Sequence, residues 1–303
     1  MEQKEHVPVL LEEAINFLRL KNGHVVLDAT IGGGGHALEI LRQISPDGRL
    51  IGIDQDKEIL NRLEVKLKDT SFKNFDLING NFRDLDKLLE LLKIKKIDAA
   101  IFDLGMNSLQ IEESGRGFTF KKDEPLFMNF KSESGAGNLA AAEILNSWTE
   151  NDIAEILFKY GEESRGRRIS KAIVEARRKK PIMTTFELLD VLEKAFPERL
   201  KHGRMHFATK TFQALRIAVN DEMNALEEGI GKCWEILDVE GRMAVISFHS
   251  LEDRIVKNFF KEKKAGGKAE VFTKKPVIAS EKELKINPRA RSAKLRAAIK
   301  IKI

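Results

Sequence analysis

The stretch Val25-Val26-Leu27-Asp28-Ala29-Thr30-Ile31-Gly32-Gly33-Gly34-Gly35-His36 restricts the folds open to this chain more than any other. Val25 to Leu27 is a short apolar run, the pattern of a strand buried on both faces. Asp28 closes it, four glycines follow, and Ala37-Leu38-Glu39-Ile40-Leu41 opens a helix. Strand, glycine turn and helix in that order form the first half of a nucleotide-binding crevice. Glycine allows a sharp turn and lets a ligand approach with no Cβ in the way. The helix start presents N–H groups that have no partner within the helix. Glycine runs also occur in plain surface turns, so context must decide. Leu50-Ile51-Gly52-Ile53-Asp54 is a second apolar run ending in an acid. Asp54 stands 19 positions after Gly35, close to the roughly 20-residue offset at which an acid reaches a ribose hydroxyl.

The alternation continues. After the amphipathic segment that ends near Leu20, strands are expected at Val25–Leu27, Leu50–Asp54, Phe75–Ile78 and Ile97–Phe102, with helices near Lys57–Leu67 and Leu85–Leu92. Such β-α-β order implies an α/β domain with a mostly parallel sheet and helices on both faces. The pattern breaks after Asp103-Leu104-Gly105. From Met106 to about Gly137 the chain is rich in Gly, Ser and charge and reads as a long loop. From Asn138 to about Pro197 it reads as helical throughout. Thr149 and Thr184 stand at capping positions, and Ile153, Ile156, Leu157 and Tyr160 repeat at helical spacing. The domain limits expected are 1–137 and 207–303 for the two parts of the α/β domain and 138–206 for an inserted all-helical subdomain. A long helix is expected from Phe212 to about Glu228. Gly241–Phe248 reads as a turn into a fifth strand ending at His249, Leu251–Lys261 as a helix, and Val271-Phe272 and Leu295–Ile301 as late strands.

Charge is unevenly placed. The net charge is +5, but residues 254–303 hold 16 basic and 4 acidic side chains, while the remainder holds 36 basic and 43 acidic. That polarity suits a polyanion at one end, or simply a soluble lysine-rich tail. A second basic cluster, with nine basic and three acidic residues between Lys159 and Lys180, includes Arg165, Arg167 and Arg168. It reads as a phosphate grip or as a solvated helix face. The single cysteine, Cys233, excludes an internal disulfide and a cysteine zinc cluster. No apolar run approaches the ~18 residues of a membrane span. The charged N-terminus lacks an apolar signal core, so a cytoplasmic protein is expected, with no membrane partner.

Polar groups stand at the ends of successive expected strands: Asp28, Asp54, the loop with Phe82, Asp103 and His249. The carboxyl ends of parallel strands are where open α/β sheets bind ligands. Asp54 suits a ribose, and Phe82 could flank an adenine ring. Asp103 sits where a reacting group would be presented.

Several blocks together resemble the bacterial 16S ribosomal RNA cytosine N-4 methyltransferases that depend on S-adenosylmethionine. They are His6–Leu11, Asp28–His36, Ile53-Asp54-Gln55-Asp56, Asp103-Leu104-Gly105 with Ser108 and Gln110, Arg116-Gly117-Phe118, Tyr160-Gly161-Glu162-Glu163, Thr211–Ile217, Ser247–Arg254 and Asn287–Arg296. The likeness covers nearly the whole chain, and Ser247–Arg254 and Asn287–Arg296 are more specific than the glycine loop. It implies a class I methyltransferase (Rossmann-like) fold with an inserted helical domain. It implies cofactor contacts at Gly34, Gly35, His36, Asp54, Phe82, Asp103 and Gln110. The implied target is the decoding-centre cytosine at position 1402 of 16S ribosomal RNA, within the small ribosomal subunit. A homodimer is compatible with the sequence.

An exocyclic cytosine amine is a poor nucleophile because its lone pair is delocalised into the ring. An acceptor for its N–H and alignment at about 3 Å from the methyl would both be needed. Asp103 is the first candidate for that acceptor, with binding of the cofactor's methionine end as its other reading. His249 is the second candidate, with a structural role as its other reading. Arg289, Arg291, Lys294 and Arg296 read as RNA-phosphate contacts or as an edge strand guarded by charge, and a strand would point Arg289 and Arg291 to one side. The chain departs from the family at Asn107, Phe127, Phe130, Phe207 and Lys210. Lys210 replaces a guanidinium by a point charge at a position suited to phosphate. His202 and His206 have i, i+4 spacing but no third ligand, so no metal is expected. Two other readings stay open: a cofactor-binding RNA or assembly protein without turnover, and a nicotinamide oxidoreductase resting on the glycine loop alone.

Overall fold

A computed structural model describes residues 8–131, 139–198 and 206–302. The beginning of the His6–Leu11 block and His202 lie outside the described residues. In chain order the first elements are α1 (Leu11–Leu18), β1 (Val25–Asp28), α2 (Gly35–Ile44), β2 (Arg49–Asp54), α3 (Lys57–Lys68), β3 (Phe75–Asn79), α4 (Leu85–Leu91) and β4 (Ile97–Asp103). Next come α5 (Ser108–Glu112), α6 (Ala141–Ser147), α7 (Glu150–Lys159), α8 (Gly166–Arg177), α9 (Thr185–Ala195) and α10 (Thr209–Asn220). The last are α11 (Glu222–Ile236), β5 (Leu237–Ser247), α12 (Ser250–Ala265), β6 (Ala269–Val271), α13 (Glu281–Ile286) and β7 (Lys294–Lys300).

Two compact units result, Met1–Gly105 with Met223–Ile303, and Met106–Glu222. The first carries a seven-stranded sheet in the order β3-β2-β1-β4-β5-β7-β6. β3, β2, β1, β4 and β5 run parallel, and β7 is antiparallel to β5 and β6. This is the mostly parallel, Rossmann-like α/β sheet expected from the sequence. The chain leaves β1 toward β2 and β3, then returns to its other side at β4, which makes the β1/β4 edge the switch point where such sheets bind ligands. Successive strand residues face opposite layers. Val26, Leu50, Ala99, Ile101 and Ile246 pack with α1, α2 and α3, whereas Leu27, Ile51, Ala100, Phe102 and Val245 pack with Leu226, Ile230 and Trp234 of α11 and Val256 and Phe260 of α12. Burial on both faces explains why these strands read as continuous apolar runs rather than alternating ones.

The second unit is a helical cluster. Ile144, Ile153, Leu157, Ile169, Ile173, Leu188, Leu192, Phe212 and Leu215 form its core. Its capping signals work as their residue types require: Thr149 accepts from Asp152 N–H, and Thr184 with Glu187 makes a complete capping box. The unit is wider than the expected 138–206, because Phe118, Leu126, Met128, Phe212 and Leu215 join the same core.

Three local expectations differ from the structure. The helix expected across 212–228 is two helices, broken at Asp221 in the left-handed region (φ 49°). Asn220 ends the first of them by donating to the carbonyls of Met128 and Arg216 and accepting from Phe130 N–H. β5 starts at Leu237, four residues before Gly241, with a register shift against β4 between Ile97 and Ala99. Arg289 and Arg291 are not on a strand. They lie in a 3-10 turn, Pro288–Ser292, started by Pro288 and by Asn287 accepting from Arg289 N–H. At three residues per turn, positions two apart point to different sides, so the two guanidiniums do not share a face. Arg296 is 6% exposed and makes a two-pronged contact to Asp253 of α12 at 2.7 and 3.3 Å. Its charge serves the fold.

Candidate active site

The ends of β1, β2 and β4 form one polar crevice because their registers align: Asp28 lies opposite Gly52 of β2 and Ile101 of β4. Thr30 ties two of these ends together. Its N–H donates to Asp28 Oδ1 (3.2 Å), and its Oγ1 accepts from Asp103 N–H (2.6 Å). Asp54 holds the glycine turn, with Oδ2 accepting from Gly32 N–H (3.0 Å) and Oδ1 from Asp56 N–H (2.8 Å). Gly34 is the N-cap of α2 at φ 79°, and a Cβ there would run into Leu63. Only glycine meets both demands.

His36 is buried at the start of α2. Its Nε2 lies 3.1 Å from the Val9 carbonyl and its Nδ1 lies 3.6 Å from Asp103 Oδ2. A carbonyl only accepts, so Nε2 carries hydrogen and donates to Val9. Nδ1 and the Asp103 carboxylate are then two acceptors face to face, which is favourable only when a proton lies between them. Asp103 Oδ1 is buried without a hydrogen-bond partner among the described residues.

Phe82 opens a single 3-10 turn after β3 and lies edge-on to Phe102, with ring centroids 5.6 Å apart and planes at 74°. Gly229 of α11 gives the ring its room, since a Cβ there would collide with it. Gln110 belongs to the helical unit, where it is buried and its Oε1 accepts from Asn107 N–H (3.1 Å). His249, at the end of β5, caps α12. Its Nδ1 accepts from Glu252 N–H (3.3 Å), and Nε2 lies 3.3 Å from Glu252 Oε1. The Nδ1 contact is thus made within the turn that starts the helix.

The expected RNA contacts fall in different settings. Arg167 and Arg168 are exposed at the start of α8, and Arg165 lies 3.5 Å from the buried Glu163. Lys210 donates to the Glu162 carbonyl (2.8 Å). Arg289 is half-buried and Arg291 exposed, and Lys294 stands 3.6 Å from Asp253. Of the departures from the family, Phe130 stacks on Phe118 at 5.7 Å and Phe207 packs against Phe196 and His206. Phe127 is 42% exposed, and nothing in the structure explains it.

The crevice is charged in an unusual way. Burial raises the carboxyls of Asp28 to about 8, Asp54 to about 6 and Asp103 to about 7. For Asp28, the neighbouring Asp103 and Asp54 charges add to the rise, against the Thr30 N–H that lowers it. For Asp54, N–H donors from Asp56 and Gly32 oppose burial, and for Asp103 the Gly105 N–H does. Desolvated acids at strand ends favour a ligand that brings positive charge and hydrogen-bond donors. A nucleoside carrying a sulfonium and an ammonium meets that need, so the residues present fit S-adenosylmethionine. Asp54 would face its ribose hydroxyls, and Asp103 or Asp28 its cationic end.

Thr30 and the Gly229–Phe82 contact were not legible in the sequence. Thr30 has one local signal, a hydroxyl two residues after a strand-terminal acid. Gly229 has none, because its partner lies 147 positions away.

Comparison with known proteins places this arrangement. The profile of the MraW methylase family matches residues 3–301. The chain is 44% identical to the ribosomal RNA small subunit methyltransferase H of Heliobacterium mobile, covering 98% of this chain and 99% of that one. It is 44% identical to the protein of that name from Persephonella marina, with coverage of 98% and 99%. For the Thermotoga neapolitana protein of the same name the figures are 45%, 97% and 95%. With a seven-stranded α/β sheet, an acid-lined crevice and a profile match across almost its whole length, the chain belongs to the MraW methylase family.

Proposed function

We propose that this protein transfers a methyl group from S-adenosylmethionine to the exocyclic N-4 of the decoding-centre cytosine, position 1402, of 16S ribosomal RNA. The observation that carries the chemistry is Asp103, whose Oδ1 is a buried acceptor awaiting a donor while Oδ2 faces His36. S-adenosylmethionine supplies an electrophilic methyl group on a sulfonium. Asp103 accepts a hydrogen bond from the amine, returns lone-pair density to the nitrogen and takes up its proton. Thr30 fixes the Asp103 backbone, and His36 restrains the carboxylate by facing its second oxygen. Asp54 anchors the ribose end and keeps the glycine turn closed. The RNA is met within the small ribosomal subunit, in the cytoplasm, and Arg167, Arg168 and Arg291 are the exposed guanidiniums among the phosphate contacts read from the sequence. Among the described residues, no helix is long and apolar enough to cross a membrane.

The direct test is transfer of labelled methyl to small subunits lacking this modification, followed by identification of the labelled nucleoside. N-4-methylcytidine at the decoding site is the expected product. Bound cofactor without label would favour the non-catalytic assembly protein.

Protonation gives a second test. A cationic ligand prefers the ionised carboxyls, so binding expels protons held by groups at about 6 to 8. Affinity for S-adenosylmethionine should rise as pH rises from about 5.5 to about 7.5, below the range where the ligand's own ammonium loses its proton. Calorimetric titration in two buffers of different ionisation enthalpy should detect proton release near pH 7. Release should be smaller for S-adenosylhomocysteine, which lacks the sulfonium charge. Equal heats in both buffers would mean that the acids do not face the ligand's charge.

A further inference from the structure

Beside the exposed Arg167, the helical unit carries an aromatic feature that phosphate contact alone does not explain. Asn151, Glu155 and Phe158 follow at i, i+4 and i+7 on α7 and share one stripe of the helix. That stripe faces away from the core, which Ile153, Ile156 and Leu157 enter. With Ala154, Lys159 and Arg167 of α8 it lines an open groove of about 450 Å³. Phe158 is 40% exposed, so core packing does not account for an aromatic side chain there. A lone exposed aromatic ring is ordinary, but this one packs on one side only. One edge lies against the first turn of α8 so closely that a Cβ on Gly166 would come within 3.2 Å of two ring atoms. Arg167 is exposed and makes no ion pair among the described residues, and Lys159 holds its ammonium over the Tyr160 ring at 5.2 Å.

An exposed ring beside two cations matches a recurring way of binding single-stranded nucleic acid, in which the base stacks and the backbone is neutralised. We propose that this groove binds one nucleotide of single-stranded RNA outside the reacting cytosine, with its base on Phe158 and its phosphate on Arg167 and Lys159. Glu155 only accepts hydrogen bonds, whereas Asn151 both donates and accepts. The pair can therefore both accept from and donate to the polar edge of a stacked base. The proposal rests on the reading of the chain as an RNA methyltransferase.

The probe is a fluorescein-labelled single-stranded RNA of about twelve nucleotides, followed by anisotropy with the full-length protein. Phe158→Ala should weaken binding about 5- to 100-fold, and Phe158→Trp should restore it. Arg167→Gln should lower the salt slope by about one. S-adenosylmethionine affinity should stay unchanged in all three variants, which also reports intact folding. An oligomer of abasic ribose phosphates should bind wild type and Phe158→Ala equally. If wild type binds the RNA and Phe158→Ala binds it as well, or if Phe158→Ala weakens the abasic oligomer just as much, the groove is not a base site. If polyglutamate displaces the RNA from wild type but not from Arg167→Gln, the groove is a docking site for acidic protein and the RNA assignment falls. If wild type binds no RNA of this kind, the groove is not a base site, and label transfer to small subunits separately decides the methyltransferase reading.

Discussion

Asp103→Asn is expected to abolish most methyl transfer while making the free protein more heat-stable. Loss of a proton acceptor in the transition state costs on the order of 10²–10⁴ in rate. The asparagine amide matches the carboxyl in size, and the backbone contact from residue 103 N–H to Thr30 is unaffected. The stability sign follows from the carboxyl, which burial raises from 3.8 to about 7. Between those values the folded protein holds a proton that the unfolded chain has released, so stability falls as pH rises through this window and stays reduced above it. A neutral amide removes that penalty. Because the side chain is 21% exposed, the gain is discounted to about 1–3 kcal/mol, or several degrees in Tm at pH 8. Below about pH 4 the two proteins should melt together, since Asp103 is then protonated whether folded or unfolded. Single-turnover transfer and melting at the two pH values check both halves. Full activity in the variant would remove Asp103 from the chemistry, and a lower Tm at pH 8 would show that its carboxylate stabilises the fold.

Asp54→Ala should raise the dissociation constant for S-adenosylhomocysteine about 10- to 100-fold, the usual cost of losing hydrogen bonds to a charged acceptor. Two effects combine. The ligand loses an acceptor for its ribose, and the glycine turn loses the tie from Gly32 N–H. Asp54→Asn separates them, because the amide oxygen can keep one backbone N–H while the charge is gone. An intermediate constant is expected for Asn. Titration calorimetry with the neutral product keeps the sulfonium out of the comparison. A constant unchanged in Asp54→Ala would place the nucleoside elsewhere in the crevice.

Some features of this site were open to reading before any fold was known, and others were not. Local periodicity places β1 to β4, because strands buried on both faces leave unbroken apolar runs and the chain punctuates each with an acid or glycine. Asp28, Asp54 and Asp103 could therefore be assigned to one edge of a sheet. The capping residues Thr149 and Thr184 were equally plain, since a cap is satisfied within one turn. Errors arose where a long-range contact overrides local preference. Asp221 breaks an otherwise continuous helical pattern next to Asn220, whose partners lie on the Met128–Phe130 segment about 90 residues away. Arg289 and Arg291 differ for a local reason instead: Asn287 and Pro288 begin a tight turn before the strand.

Sequence alone determined the α/β class, the order of the strands that bear the acids and the family resemblance, because these depend on neighbours within a few turns or on blocks read as wholes. Tertiary structure alone decided what each polar group does. It set His36 between Val9 and Asp103, made His249 a helix cap and turned Arg296 inward to Asp253. It also left Phe158 outside the core, against the first turn of α8. Burial and partner distance govern protonation and role, and neither can be read from residue spacing.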